Sequence, residues 1–198
     1  GQIFSPSTLA SRGPSTHEGV AQVLADVAED TELPTPAKEA LALLGREIGR
    51  LDARLAEIEA RLVAQHKQTP TSKMLAEVPG IGPIGALSLV LRVDFTQFKS
   101  GRHFASWLGL TPREQSTGGK TRLGGISRAG DERLRQLLVL GATAVIRQAK
   151  PGKASAWLIA LLARRPRKLA AVALANKMAR IVWAMMTSGE AYRRPATA

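Results

Sequence analysis

Seven apolar residues, Leu41, Leu44, Ile48, Leu51, Leu55, Ile58 and Leu62, recur in alternating steps of three and four. That spacing is the a/d stripe of a coiled coil held for about three heptads, and it allows little besides one long amphipathic helix. The other positions mix signs, with Arg46, Glu47, Arg50, Asp52, Arg54, Glu57, Glu59 and Arg61 keeping the remaining faces in water. Pro34 and Pro36 break the chain ahead of the stripe, and Thr35 is placed to cap the helix with Pro36 at its first position. The stripe packs either within its own domain or against another protomer or partner helix. Its narrowness and charged flanks favour the second, and no chemistry is expected there.

Around this helix the chain divides into four stretches. Residues 1–35 read as linker and a short helix, with Val20, Val23, Leu24 and Val27 on one face; residues 36–68 are the coiled-coil-like helix. Residues 70–192 form a compact helical domain, and 193–198 a loose tail. Within the domain, Ser100 caps a helix to Leu108 and Asp131 caps one to Gln148, from which Arg133, Arg135 and Arg147 project. A short helix follows from Ala156 to Ala163. The last helix runs from Leu169 to Met186 with Leu169, Val172, Ala173, Ala175, Met178, Ala179, Val182 and Met185 inward, and Lys177 and Arg180 outside. No convincing alternating strand appears, so the predicted fold class is all-α. Phe104 and Trp107 are expected in the core, and His103 lacks a carboxylate at helical spacing that would make it a base.

The charge is divided unevenly. Residues 1–70 carry 7 Lys/Arg and 10 Asp/Glu, whereas residues 71–198 carry 21 and 6, so a net +15 follows a net −3. A basic domain of this kind points to a polyanion, most often nucleic acid, because each neutralised phosphate releases condensed counterions. The chain has no Cys and only three His, which excludes a disulfide framework and a thiolate metal site and makes a His-based zinc site poorly supported. No run reaches the roughly 20 apolar residues of a bilayer span, and the first residues lack the apolar segment of a signal peptide. A cytoplasmic location is expected. Gly1 in place of Met reads as a fragment or a processed chain.

Two segments carry candidate chemistry. In residues 71–92 two short apolar stretches flank Pro79-Gly80-Ile81-Gly82, the form of a helix-hairpin-helix motif. Gly80 and Gly82 would permit a tight turn there, and the second helix would offer free N–H groups to a DNA phosphate. Residues 109–130 are polar, basic and rich in glycine, with Arg113, Lys120, Arg122 and Arg128 beside Ser116 and Thr117. Glycines let a backbone approach a phosphate closely, and the cations would neutralise it. The basic run Arg164-Arg165-Pro166-Arg167-Lys168 reads equally well as a backbone contact or a solvated loop.

The ordered series Val78-Pro79-Gly80-Ile81-Gly82-Pro83, Phe98-Lys99-Ser100-Gly101-Arg102, Ala105-Ser106-Trp107-Leu108-Gly109-Leu110-Thr111-Pro112-Arg113, Ser116-Thr117-Gly118-Gly119-Lys120 and Arg122-Leu123-Gly124-Gly125-Ile126-Ser127 resembles the C-terminal domain of DEDD-type bacterial insertion-sequence transposases. The resemblance covers about residues 70–192, and the heptad helix matches the family's coiled coil. It implies a bacterial, nucleoid-associated recombinase guided by a bridge RNA. Ser116 would be its nucleophile, with Thr117 one residue away as the alternative, and Gly80, Gly82, Arg113, Lys120, Arg122 and Arg128 would contact DNA. The resemblance further implies an N-terminal RuvC-like domain holding divalent metal (Mg²⁺). That domain is not recognisable in this sequence, so no metal is expected on this chain and the chain alone is expected to be inactive. DNA, a guide RNA and a second copy joined through the heptad helix are the expected partners. A different class remains open: a non-catalytic helix-hairpin-helix module of a repair or junction-processing protein.

Overall fold

The computed structural model describes residues 17–114, 123–152 and 154–193. Among these, eight α-helices account for most of the chain: α1 His17–Glu29, α2 Thr35–Gln68, α3 Pro70–Ala76, α4 Pro83–Arg92, α5 Gly101–Trp107, α6 Glu132–Gln148, α7 Ala156–Arg164 and α8 Arg167–Ser188. The predominantly helical reading therefore holds. It omitted one feature, an antiparallel ribbon of β1 Pro112–Glu114 and β2 Leu123–Ile126. These strands are only three and four residues long and contain Pro112, Gly124 and Gly125, so they lack the alternating pattern by which a strand is recognised in sequence.

The chain separates into two compact units, Gly1–Glu59 and Ala60–Ala198. In the first, α2 carries its stripe in the open: Leu44 is 59%, Leu51 60% and Leu55 58% exposed. Leu24 of α1 lies against Gly45, where a β-carbon would overlap its end.

The second unit has a conventional core. Phe104, Leu75, Leu108, Leu134, Met178 and Val182 are almost fully buried, each such side chain stabilising the fold by about 1.5–3 kcal/mol relative to exposure. Helix α8 is its axis, packed against α5, α6 and α7 through Ala170, Ala171, Ala175, Met178, Ala179, Val182 and Met185. The small residues let neighbouring backbones approach: a β-carbon at Gly101 of α5 would sit 3.1 Å from the Arg180 Cα. Against expectation, Leu169 is 57% exposed, and Val172 and Ala173 are only partly buried and line the opposite side of the helix, because the inward face follows Ala170, Ala171 and Ala175. By length and composition α8 could span a bilayer, which the sequence reading missed; its inward face is instead occupied by the protein core.

Local chemistry fixes the ends of these elements. Ser100 Oγ accepts from His103 N–H and Asp131 Oδ1 from Leu134 N–H, the two predicted caps. The Asp94 carboxylate accepts from the Thr96 hydroxyl at 2.6 Å, from Thr96 N–H and from the Gln97 amide, and these bonds hold its pKa below the usual value. At the turn from α2 to α3, buried His66 Nδ1 and Ser72 Oγ share a 2.7 Å hydrogen bond. Phe98 packs against Phe104 and Trp107 at centroid distances of 5.0 and 5.3 Å, and the Trp183 indole N–H donates to the Phe98 carbonyl. Phe104 is in the core as expected, while Trp107 is 37% exposed and covers its edge.

Candidate nucleic-acid interface

The glycine-rich segment begins and ends on anchored backbone. After α5 the chain turns through Gly109 (φ 70°), and Leu110 N–H returns to the Ala105 carbonyl. The Asn176 amide of α8 donates to the Leu110 carbonyl at 3.2 Å, fixing the start of β1 against the axial helix. Below the ribbon the two chains stay paired, with Ser127 N–H on the Thr111 carbonyl and Arg128 N–H on the Gly109 carbonyl. Gly130 (φ 70°) must be glycine, since a β-carbon there would overlap the Trp107 carbonyl oxygen.

Arg135 fastens this base from beneath. It was expected to project from its helix, but it is 8% exposed and its Nη1 donates to the Leu108 and Ala129 carbonyls at 3.1 and 2.8 Å. Carbonyls at a chain reversal lack ladder partners, and a guanidinium fork satisfies two at once. Arg92 adds an ion pair to Asp131 at 2.8 Å.

Beside the ribbon lies an open groove of about 1420 Å³, walled by the start of α5, the ribbon, Trp157 and one face of α8. Arg102, Arg128, Lys168, Lys177 and Arg180 line it, and among the described residues no carboxylate does. Five cations without a facing acid attract a polyanion, since every phosphate they neutralise liberates counterions. Lys177 Nζ sits 4.1 Å from the centre of the Trp157 ring, a cation–π contact. Partial burial, with Arg180 nearby, holds the Lys177 ammonium pKa below the ordinary lysine value.

The predicted site residues separate on this frame. Arg128 lines the groove, at φ 55°, a left-handed conformation few non-glycine residues adopt. Arg113 is on β1, where its Nη2 donates to the Ser127 carbonyl at 3.0 Å and so holds the ribbon together. Ser116, Thr117, Lys120 and Arg122 fall in residues 115–122, outside the described residues, in the stretch that joins β1 to β2. Gly80 and Gly82 lie elsewhere. Gly80 (φ 91°) is required for packing, because a β-carbon would come within 2.8 Å of the Gly141 carbonyl oxygen. Gly82, at the N-cap of α4, is exposed with open space at its β-carbon position. The hollow next to it, lined by Leu134, Leu137 and Leu140, contains no cation.

Lys168 falls within the basic run 164–168, which reads as either a backbone contact or a solvated loop, whereas Arg102, Lys177 and Arg180 were not among the predicted contacts. Their signal was present on α8, where Lys177 and Arg180 share a face with Val172, Ala173 and Asn176, opposite the alanine stripe. Recognising that face as a groove wall required knowing that Asn176 holds the ribbon beside it. Among the described residues no three His, Asp or Glu group closely enough to hold a metal ion.

Residues 72–157, which contain the ribbon, Arg135 beneath it and Trp157, match the family model described as the transposase IS116/IS110/IS902 family. Residues 72–157 belong to that transposase family. The chain is 50% identical over 179 residues to a putative transposase, y4pF/y4sB, of Sinorhizobium fredii, covering 88% of this chain and 46% of that protein. It is 46% identical over 168 residues to a probable family 20 transposase of Pseudomonas aeruginosa, covering 83% and 50%. It is also 38% identical over 189 residues to the transposase for insertion sequence element IS1111A of Coxiella burnetii, covering 94% and 51%. The chain thus spans about half the length of these relatives, and the transposase-family domain lies in its second unit.

Proposed function

We propose that this chain is the DNA-joining portion of a bacterial insertion-sequence transposase, in which Ser116 attacks a scissile DNA phosphate while the basic groove holds the strand. The observation that carries the reading is the arrangement of five cations, with no opposing carboxylate among the described residues, beside the ribbon whose strands are joined by the Ser116 segment. Attack by Ser116 Oγ forms a phosphoserine P–O bond as a bridging P–O bond of the DNA breaks. The proton lost from Oγ is accounted for on the departing oxygen, and a free hydroxyl of a second strand then displaces the serine. Arg113, Lys120, Arg122 and Arg128 neutralise the charge that grows on the phosphate oxygens. Gly80 in the α3–α4 turn and Gly82 at the N-cap of α4 provide a further backbone contact.

The described residues do not fit the divalent metal implied by the family, so Mg²⁺ belongs, on this proposal, to the remainder of the full-length protein. A guide RNA supplies target choice, the heptad helix joins protomers, and the protein works in the bacterial cytoplasm at the nucleoid. A divided chain of this kind is inactive without the remaining residues.

The test uses the full-length protein, its guide RNA and target DNA. Ser116→Ala should abolish the covalent protein–DNA adduct and recombination, while Thr117→Ala should retain both. An adduct that persists in Ser116→Ala and disappears in Thr117→Ala would transfer the role to Thr117; one that persists in both would exclude this loop as the nucleophile.

A further inference from the structure

On α2 the side chains at Leu44, Leu51, Leu55 and Ile58 are 47–60% exposed, and Leu41 and Ile48 are 37% and 38% exposed. Six large apolar residues along one side of a single helix leave a seam that water solvates poorly. The charges beside that seam determine what fits it. Taking Leu41, Ile48 and Leu55 as a and Leu44, Leu51 and Ile58 as d, Glu47 and Arg54 occupy successive g positions and Asp52 an e position.

We propose that α2 pairs with α2 of a second copy in antiparallel orientation, with Leu41 opposite Ile58, Leu44 opposite Leu55, and Ile48 opposite Leu51. This deepens, and rests on, the proposed joining of protomers through this helix. In an antiparallel pair g meets g, so Glu47 of each copy faces Arg54 of the other, giving two attractive contacts. A parallel pair brings g against e and sets Glu47 against Asp52 twice, a repulsion that its two Arg54–Glu59 contacts only offset, whereas the antiparallel pair has no such repulsion to offset. Shifting the antiparallel register by one heptad sets Arg54 against Arg54 and Asp52 against Asp52. Only the stated register fills all six apolar positions without a like-charge contact among these residues.

The flank is accessible. At 100° per residue Glu47 and Arg54 lie about 160–180° around the helix from Gly45, the position Leu24 of α1 covers. Arg50 pairs with Glu47 within one chain at 2.9 Å, at side chains 77% and 52% exposed, so the contact yields readily to a partner.

Because the protein has no cysteine, single thiols report the geometry. Leu41→Cys and Ile58→Cys proteins, oxidised separately, should stay uncrosslinked, since each thiol would be about 25 Å along the axis from its own copy. Mixed before oxidation, they should give a disulfide-linked heterodimer. Glu47→Lys and Arg54→Glu should each weaken self-association by about tenfold in sedimentation equilibrium, and the double variant should restore it. Self-crosslinking of the separate variants, with tighter association of Glu47→Lys, would overturn the orientation but keep the pairing. A monomer at every concentration would overturn both.

Discussion

The two units of this chain expose opposite kinds of surface. In Gly1–Glu59 the large apolar side chains of α2 face solvent while its charges are mixed, as in the Arg50–Glu47 pair. In Ala60–Ala198 the apolar side chains are packed around α8, and cations line a groove with no acid among its described residues. An exposed apolar stripe is relieved by another protein surface, whereas unopposed cations are relieved by a polyanion. On the proposed function the chain separates an assembly element from an element for phosphate chemistry, and substitutions of one type should act differently in each.

The largest effect is expected from Gly141→Ala on α6. A β-carbon there overlaps the Gly80 carbonyl oxygen, and both partners are backbone, so neither can rotate away. We expect a loss of about 3 kcal/mol and a melting temperature lowered by roughly 6–12 °C, measured by calorimetry. An unchanged melting temperature would mean that α6 and the α3–α4 turn are not in contact. Arg135→Met comes next, at about 2 kcal/mol, because the Leu108 and Ala129 carbonyls lose a charged donor. It should also speed amide exchange of Ser127 and Arg128, whose bonds pair the ribbon's base. Exchange faster elsewhere but unchanged at those two amides would remove Arg135 as the anchor.

These two residues also mark what was legible beforehand. The heptad spacing, the Ser100 and Asp131 caps and the division of charge are local or additive properties, so α2, α5, α6 and the basic character of the second unit follow from sequence. Arg135 could not be assigned in that way. Helical spacing puts it on the side of Leu138 and Ala142, about 200° around from exposed Arg133, but a guanidinium is not expected among apolar residues, and only the two carbonyls brought beneath it, from positions 108 and 129, make its burial favourable. Leu169 was misassigned for a related reason: an alanine-rich helix has a weakly defined apolar face, and tight approach at Gly101 selects among near-equivalent rotations. The groove was the least legible part. It combines α5, α7, α8 and the ribbon, and its cations are scattered from Arg102 to Arg180.

A smaller effect, confined to binding, is expected in that groove. Lys177→Met and Arg180→Gln should each weaken DNA binding and reduce the dependence of log K on log salt by about one unit, whatever the DNA sequence. Arg46→Gln on α2, outside the proposed seam, should leave that slope unchanged. The Lys177 pKa is lowered by desolvation, so its charge is lost at lower pH than that of an ordinary lysine. Wild-type affinity should therefore begin to fall at a lower pH than the titration of ordinary lysines would give, and Lys177→Met should remove that early part of the fall. Folding has the opposite sign: the unfolded chain binds the extra proton, so this lysine's penalty is relieved as pH rises from the lowered pKa to the ordinary one.

The smallest change reverses the sign of the first. Gly49 is in the middle of α2, solvent-exposed, with nothing within 4 Å of a β-carbon built there. Gly49→Ala removes backbone freedom from the unfolded chain and meets no neighbour, so it should stabilise α2 by about 0.5–1 kcal/mol, read as increased helicity on heating. Glycine-to-alanine substitution would thus destabilise α6 and stabilise α2, both within helices, because one glycine is a packing contact and the other is not. In the proposed antiparallel pair Gly49 lies at a b position beside the dyad, on the side facing water, so Gly49→Ala should leave the dimer dissociation constant unchanged. Weakened self-association would mean that a neighbour covers Gly49 in the assembly, and the register that sets Ile48 against Leu51 would then have to be redrawn.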